Sequence, residues 1–283
     1  MSGRTPSRRA VIGGLALGVA AAGTAAVAAL EDWGHSAAAS GPSGGDGSGD
    51  GGSTVPFVAS FPQNGLVTNE YAYRSPSSPL AHNSADWIVT SGSLFAKDGE
   101  GWTGVPDDGE TGTDSAVHTD SAVFRLVTRR RDFGSVQVST SVLVDRPITT
   151  RRTPVSDWDG GHVWLRYQSP QQLYALSFRR RDGAVVIKRK IAAHDAAAVD
   201  GGDYTTLAQT NLAMPYGSWQ QVTASAVDGP AGTVLLTLGI NGRTALTVVD
   251  HAPGPLLRPG GVGLRVDNSE LYFRDFTATH PAG

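Results

Sequence analysis

The period of the hydrophobic side chains constrains this chain more than any other feature. From Val55 onward, apolar and polar residues alternate over short segments, as in Ser135–Val144 and His162–Tyr167. Alternation with a period of two is typical of β-strands that bury one face, whereas a period of 3.6 indicates amphipathic helices. Turn-forming residues separate the segments, and the chain contains 36 Gly and 16 Pro. The pattern predicts an all-β domain.

Two dipeptides in this pattern predict hairpins. Asn241-Gly242 interrupts a long alternating segment and is the strongest short-range hairpin signal. Asp182-Gly183 predicts a second hairpin, in which a two-residue loop pairs Phe178 with Ile187. Many strands with one apolar and one polar face favour two antiparallel sheets packed face to face, as in a jelly-roll sandwich.

The N-terminal segment differs in composition from the rest of the chain. Residues 1–28 carry Arg8-Arg9 before a Gly/Ala-rich apolar stretch, and Ala26–Ala28 offers small residues for cleavage. This resembles a twin-arginine signal peptide, and a retained anchor is the alternative. Residues 29–55 predict a flexible Gly/Ser/Asp linker, which leaves residues 56–283 as the folded domain. We expect a secreted protein, either free or associated with the cell wall, that meets the membrane only through its export signal.

The charge balance excludes several classes of function. The formal net charge is −3 and 17% of the residues are charged, whereas proteins that coat nucleic acid are usually strongly basic. No nucleic-acid partner is therefore expected. The chain contains no cysteine, which excludes disulfides and thiolate chemistry. The sequence also lacks a phosphate loop, a Cys/His zinc pattern and a nucleophile elbow. The expected oligomeric state is a monomer.

Three segments carry a family resemblance. They are Asp86–Val105, with Trp87, Gly92, Leu94 and Gly99, then Ile240–Leu246 and Gly260–Thr279. Together they resemble concanavalin A-like (laminin-G/glucanase-like) sandwiches. They are also similar to 3-keto-glycoside hydrolase-related domains and to secreted polysaccharide lyases of that fold. The resemblance covers most of residues 57–279 and implies a jelly-roll sandwich whose concave sheet face binds a poly- or oligosaccharide.

The chain departs from these families in its catalytic motifs. It lacks the Glu-x-Asp-x-x-Glu strand motif of the glucanases, whose carboxylates act as nucleophile and acid/base. It also lacks the Gln-Ile-His motif of one alginate-lyase family, and Tyr272–Phe276 matches the Tyr-Phe-Lys motif of that family only loosely. No catalytic residue is therefore carried over from the resemblance.

The strand alternation instead predicts a polar sheet face as the candidate site. It gathers Gln137, Ser139, Ser141, His162, Trp164, Arg166, Ser177, Arg179, Lys188, Lys190, Trp219 and Gln221. Tryptophan offers a flat surface to a sugar ring, arginine and lysine offer charge to a carboxylate or sulfate, and glutamine and serine offer neutral hydrogen bonds. This mixture predicts a groove for an acidic oligosaccharide. The alternative is an ordinary solvated face, where lysine and arginine are common.

If the protein is an enzyme, it is expected to be a polysaccharide lyase or a glycoside hydrolase. β-Elimination on a uronic acid needs a group that neutralises the sugar carboxylate, a base and an acid. His162 is the candidate base and Tyr272 the acid, and Arg166 or Arg179 with Gln137 is the candidate for neutralisation. Hydrolysis would instead use Asp157 and Asp159. The rival function is that of a non-catalytic cell-surface or adhesion module.

A calcium site is a further expectation. Asp267 and Asp275 are candidate ligands for a structural Ca²⁺, because many sandwiches of the resembling fold carry one. Carboxylate oxygens are the ligands that this ion prefers.

Overall fold

The computed structural model describes residues 55–108, 123–193 and 202–281. Its strands in chain order are β1 (Phe57–Val58), β2 (Gly65–Asn69), β3 (Trp87–Ser91), β4 (Ser93–Lys97), β5 (Glu100–Trp102), β6 (Val123–Thr128), β7 (Val136–Pro147), β8 (Gly160–Ser169), β9 (Gln172–Phe178), β10 (Ala184–Ala192), β11 (Gly202–Asn211), β12 (Gln220–Gly229), β13 (Thr233–Ile240), β14 (Arg243–Asp250), β15 (Gly261–Asp267) and β16 (Ser269–Thr279). A short helix, α1 (Tyr71–Arg74), follows β2.

The strands form two antiparallel sheets. The first sheet has the order β14-β13-β12-β7-β16-β5-β4-β2, and β1 pairs with β16. The second sheet has the order β11-β10-β9-β8-β15-β6-β3. Consecutive hairpins build β8 to β11 in the second sheet and β12 to β14 in the first sheet. The predicted all-β jelly-roll sandwich of two sheets is confirmed.

The inner faces of the two sheets enclose one apolar core. Leu165 and Leu176 reach it from the second sheet, and Leu236 reaches it from the first sheet. Aromatic rings close one part of this core, where Trp87 lies edge-on to Phe276 with 5.3 Å between the ring centroids. The alternating pattern of the sequence is therefore the packing pattern of a sandwich, in which every second side chain enters the core.

The β9–β10 hairpin keeps its predicted faces but not its predicted register. Leu176 pairs with Ile187, whereas the two-residue loop predicted that Phe178 would do so. The turn is longer because Arg179 adopts a left-handed conformation (φ 47°), and the amide of Gly183 then donates to the carbonyl of Arg180. A shift of two residues preserves which side chains share a face, since the side-chain period of a strand is two.

A bulge in β8 changes which side chains face outward. Arg166 adopts a left-handed conformation (φ 49°), and the pairing of β8 with both neighbouring strands shifts there. The backbone of Gly260 lies so close to Arg166 that a Cβ atom on Gly260 would be 2.5 Å from the carbonyl carbon of Arg166. Such a bulge moves one side chain to the opposite face of its strand. Arg166 consequently points into the sandwich, and Tyr167 stacks on Trp164 outside it.

The predicted leader and nearly all of the predicted linker lie outside the described residues, so both remain predictions. Within the ranges that the structure describes, no helix has the length and apolar character needed to span a bilayer.

Candidate functional site

A groove with a volume of about 460 Å³ opens on the outer face of the second sheet. We call it the His162 groove. Its lining comprises Trp158, His162, Trp164, Ala175, Ser177, Arg180, Lys188, Gly202, Asp203, Tyr204, Arg265 and Asp267. These residues come from β8, β9, β10, β11 and β15, and from the two turns next to β8 and β9. The groove therefore occupies the hairpin-rich half of the second sheet.

Strand pairing brings a histidine, a serine and a carboxylate together on the floor of this groove. His162 lies opposite Ser177 on β9 and opposite Arg265 on β15. The His162 ring makes two hydrogen bonds, one between Nδ1 and Ser177 Oγ at 2.7 Å and one between Nε2 and Asp267 Oδ2 at 2.9 Å. Arg265 binds the carboxylate of Asp267 through Nε and Nη2 at 2.9 Å each. The four side chains form one continuous hydrogen-bonded chain.

The electrostatics of this chain assign its protons. Burial lowers the pKa of His162 by more than the nearby Asp267 raises it, so the ring is neutral. Burial alone would raise the pKa of Asp267, but the charge of Arg265 and the bond from His162 hold that pKa well below its usual range. The Asp267 carboxylate can only accept, so His162 Nε2 carries the ring hydrogen and donates it. Nδ1 therefore accepts a hydrogen bond from the Ser177 hydroxyl.

The cations of the groove are not equivalent. Arg180 is paired with Asp182, and Arg265 is paired with Asp267. Lys188 makes no ion pair with a carboxylate of the described residues, and its ammonium lies 5.7 Å from the ring centroid of Tyr204. Burial and then the charge of Arg180 lower the pKa of Lys188. Lys188 is the groove cation whose charge is least compensated.

Aromatic side chains border the same groove. Trp158 is 54% exposed and Tyr204 is 42% exposed, although both are large and apolar. Trp164 is almost fully buried, and its indole N–H has no hydrogen-bond partner among the residues that the structure describes. Exposed rings beside a cation offer the stacking and charge contacts that a sugar acid requires.

The sequence-predicted site residues divide into three groups. The His162 groove contains His162, Trp164, Ser177 and Lys188, which the alternation placed on one polar face. Lys190 comes from the same face but does not line the groove, because its side chain is buried and its ammonium lies 4.8 Å from the Tyr204 ring centroid.

Two predicted groove arginines lie elsewhere, so their placement was wrong. The bulge turns Arg166 inward, where Nη1 donates to the carbonyl of Leu256 at 2.9 Å and Nη2 lies 2.8 Å from Asp228 Oδ1. The left-handed backbone at Arg179 directs its guanidinium onto the ring of Tyr216, 3.3 Å from the centroid. Arg180, one position later, takes the place in the groove that was predicted for Arg179.

The remaining predicted residues lie on the first sheet, which also corrects their placement. Gln137 is on β7, Gln221 is on β12, Trp219 directly precedes β12, and Tyr272 is on β16. Tyr272 and Trp219 line a shallow cavity of about 350 Å³ on the outer face of that sheet. His162 and Tyr272 therefore lie on opposite sheets. The predicted base and acid of an elimination do not share a site.

The predicted calcium ligands do not come together either. Asp267 is engaged by His162 and Arg265, whereas Asp275 is on β16 and lies 3.8 Å from the guanidinium of Arg274. Among the described residues, no group of three or more His, Asp or Glu side chains is arranged to hold a metal ion. Asp159, a carboxylate considered for hydrolysis, is buried and bonded to Ser156 and Arg181.

Sequence reasoning missed several residues of the groove. Arg265 and Asp267 are two positions apart on β15 and so share a face, a signal that was present in the alternation. Trp158 and Tyr204 stand in a turn and near the start of β11, where alternation gives no guidance. Ser177 was placed on the correct face, but its bond to His162 depends on the pairing of β8 with β9.

No protein-family model matches the sequence, and no curated protein matches it. Among solved structures, the carbohydrate-binding module CBM66 from Bacillus subtilis gives a TM-score of 0.46 at 10% identity, over 68% of this chain and 94% of that chain. The metal-free Emp46p carbohydrate recognition domain gives a TM-score of 0.46 at 11% identity, over 79% of this chain and 97% of that domain. The alginate lyase Aly36B gives a TM-score of 0.42 at 11% identity, over 79% of this chain and 96% of the lyase chain. None of these similarities assigns an activity to this chain.

Proposed function

We propose that this protein binds an acidic oligosaccharide in the His162 groove. The observation that carries the proposal is Lys188, a partly buried ammonium with no carboxylate partner among the described residues, beside the exposed rings of Tyr204 and Trp158. A carboxylate or sulfate on a sugar would supply the missing charge, and the rings would stack on the sugar's apolar face. The groove volume of about 460 Å³ suits a short stretch of glycan chain.

The elimination mechanism expected from sequence is not part of this proposal. Both ring nitrogens of His162 are already bonded, and Tyr272 is on the other sheet. A sugar C–H proton would have no free base at His162 to receive it. Binding requires neither residue to move.

Calorimetric titration of the purified protein with uronic-acid oligomers tests the proposal. The matched ligand is the same oligomer with its carboxyl groups reduced to alcohols, because it keeps the rings and removes the charge. We expect saturable binding of at least one acidic oligomer and much weaker binding of its reduced form. Equal affinity for the two forms, or no binding across a panel of uronate and sulfated oligomers, would contradict the proposal.

Export is a separate part of the proposal, supported by Arg8-Arg9 and the apolar stretch that follows them. Fractionation of the producing cells should find the mature protein outside the cytoplasm. A chain that keeps Met1 and stays in the cytoplasm would contradict it.

A further inference from the structure

We propose that Ser177 is the nucleophile of an esterase site, and that its substrate is an O-acyl ester carried by the sugar in the groove. The sugar part of this statement rests on the proposed function, whereas the nucleophile rests on the hydrogen bonds alone. Ser177 Oγ lies 2.7 Å from His162 Nδ1, and His162 Nε2 lies 2.9 Å from Asp267. A nucleophile, a base and an orienting acid are thereby connected in sequence.

The arrangement of protons favours this chemistry over direct proton removal from the sugar. Asp267 is acceptor-only and fixes the hydrogen of His162 on Nε2, so the lone pair of Nδ1 faces the serine. The Ser177 hydroxyl already donates into that lone pair. Compared with serine proteases, the two ring nitrogens exchange tasks, but either nitrogen of a neutral imidazole can serve as the base.

The floor of the groove is rigid enough to hold these groups in place. Ser177, His162 and Asp267 lie on the adjacent strands β9, β8 and β15, where register rather than loop motion sets their positions. The bidentate contact with Arg265 fixes the Asp267 carboxylate. Ser177 is only 2% exposed and lines the groove, so a substrate reaches it from the groove side. Side chains positioned in this way suit catalysis.

Two cations, Lys188 and Arg180, line the same groove as Ser177. Lys188 pairs with Ala175 on β9, which places it on the same face as Ser177 and diagonal to it, at a separation of roughly 7–8 Å between backbone positions. Arg180 also lines the groove, and its charge acts on His162. A positive group stabilises the oxyanion of a tetrahedral intermediate when the substrate places its carbonyl oxygen within hydrogen-bond distance of it, and Lys188 is the candidate because Arg180 is paired with Asp182.

The reaction requires water and no other co-reactant. Ser177 Oγ attacks the ester carbonyl carbon while its proton passes to His162 Nδ1, and the oxyanion then collapses to expel the sugar alkoxide, which takes that proton. Water next attacks the acyl-serine and gives a proton to His162. Collapse of the second intermediate releases the carboxylic acid and returns the proton to Ser177 Oγ. The sum is ester plus water giving sugar alcohol plus acid.

A fluorophosphonate probe and 4-nitrophenyl acetate test the nucleophile without any glycan. We expect the full chain to gain one probe by intact mass, mapped to Ser177, and to release nitrophenol. Ser177→Ala should lose the label and at least roughly 1,000-fold of the hydrolysis rate. Ser139→Ala, from the outer face of the first sheet, is the matched control and should keep both. An unlabelled and inactive wild type, or labelling that survives Ser177→Ala, would overturn the proposal.

A thiol variant keeps the test decisive if Ser177→Ala is unstable. The chain has no cysteine, so Ser177→Cys and Ser139→Cys each contain one thiol. If His162 accepts the proton from position 177, iodoacetamide should alkylate Ser177→Cys at pH 6 to 7 faster than the better exposed Ser139→Cys. A rate at position 177 that follows the ordinary thiol pKa of about 8.5 would overturn the proposal.

Glycan titration separates this proposal from the binding function. Acidic oligomers that bind a wild type with no labelling and no hydrolysis would overturn the esterase site and leave the proposed function standing. Labelling at Ser177 without oligosaccharide binding would support the nucleophile and remove the acidic glycan as its substrate.

Discussion

The outer faces of the two sheets contain similar residue types in different states of pairing. On the first sheet, Trp102 stacks on Tyr272, and both the indole N–H and the tyrosine hydroxyl donate to Glu270 Oε1 at 3.0 and 3.1 Å. Lys97 lies over these two rings, and Arg274 lies over the ring of Trp219. On the second sheet, Trp158 and Tyr204 keep exposed rings, and Lys188 has no ion pair with a described carboxylate.

The difference shows which polar face is prepared for a ligand. On the first-sheet face, Lys97 lies over the rings of Trp102 and Tyr272, and Arg274 covers the ring of Trp219 and pairs with Glu100, so a sugar would have to displace these two cations. In the His162 groove, the rings of Trp158 and Tyr204 are exposed, while His162, Ser177 and Asp267 below them are hydrogen-bonded to one another. Composition alone would rank the two faces alike.

The largest expected effect is a loss of stability, and it should be greater for the interior Arg166 than for the surface Arg274. Arg166→Ala removes a fully buried side chain with its hydrogen bond to the carbonyl of Leu256 and its ion pair with the partly exposed Asp228, and we expect a cost of about 3 kcal/mol of unfolding free energy. Arg274→Ala, at an exposed site, should cost less than about 1 kcal/mol. Urea unfolding measures both changes. Equal costs would mean that Arg166 is not held inside the sandwich.

The next effect is on affinity for an acidic oligosaccharide. Lys188→Met keeps the side-chain length and removes a charge-assisted contact worth about 1.5–3 kcal/mol, which corresponds to a roughly 10- to 100-fold loss. Lys97→Met, on the first-sheet face, should change the affinity by less than about twofold. Calorimetry on the two variants distinguishes the two faces. A greater loss of affinity from Lys97→Met than from Lys188→Met would show that the ligand binds to the first sheet and would contradict the proposal.

A smaller effect is expected from one tryptophan near each face, the exposed Trp158 and the partly buried Trp219. Trp158→Ala removes a stacking surface that contributes roughly 1 kcal/mol to the binding free energy. The affinity should therefore fall about fivefold for charged and reduced oligomers alike. Trp219→Ala should leave affinity unchanged. A loss confined to the charged oligomer would show that Trp158 does not stack on the sugar.

The smallest effect is on the pH dependence of stability. Burial lowers the pKa of His162 in the folded state, so the unfolded chain binds more protons below its own pKa of about 6.5. Stability therefore falls as the pH drops through that value, by at most about 1.4 kcal/mol per pH unit for this group. His162→Gln should show a shallower fall between pH 7 and 5 in urea unfolding. His82→Gln on the surface is the control, and matching slopes in all three proteins would contradict a buried neutral ring.

The sequence predicted the fold better than the site for a physical reason. Alternation separates inward from outward side chains, as Leu176 and Ser177 show, because strand geometry is local. It does not reveal that β7 and β8 enter different sheets, so Tyr272 and Gln137 were grouped with His162 although they lie on the opposite face. The left-handed residue Arg166 reversed the alternation, since its conformation depends on packing against a distant glycine.

The most direct test of the account uses the six tryptophans of the chain. Protein labelled with 5-fluorotryptophan gives one fluorine resonance per ring, assigned by single Trp→Phe variants, and is titrated with an acidic oligomer. We predict that the resonances of Trp158 and Trp164 shift with saturation while those of Trp102 and Trp219 do not. Shifts confined to Trp102 and Trp219 would contradict the assignment of the ligand to the second sheet.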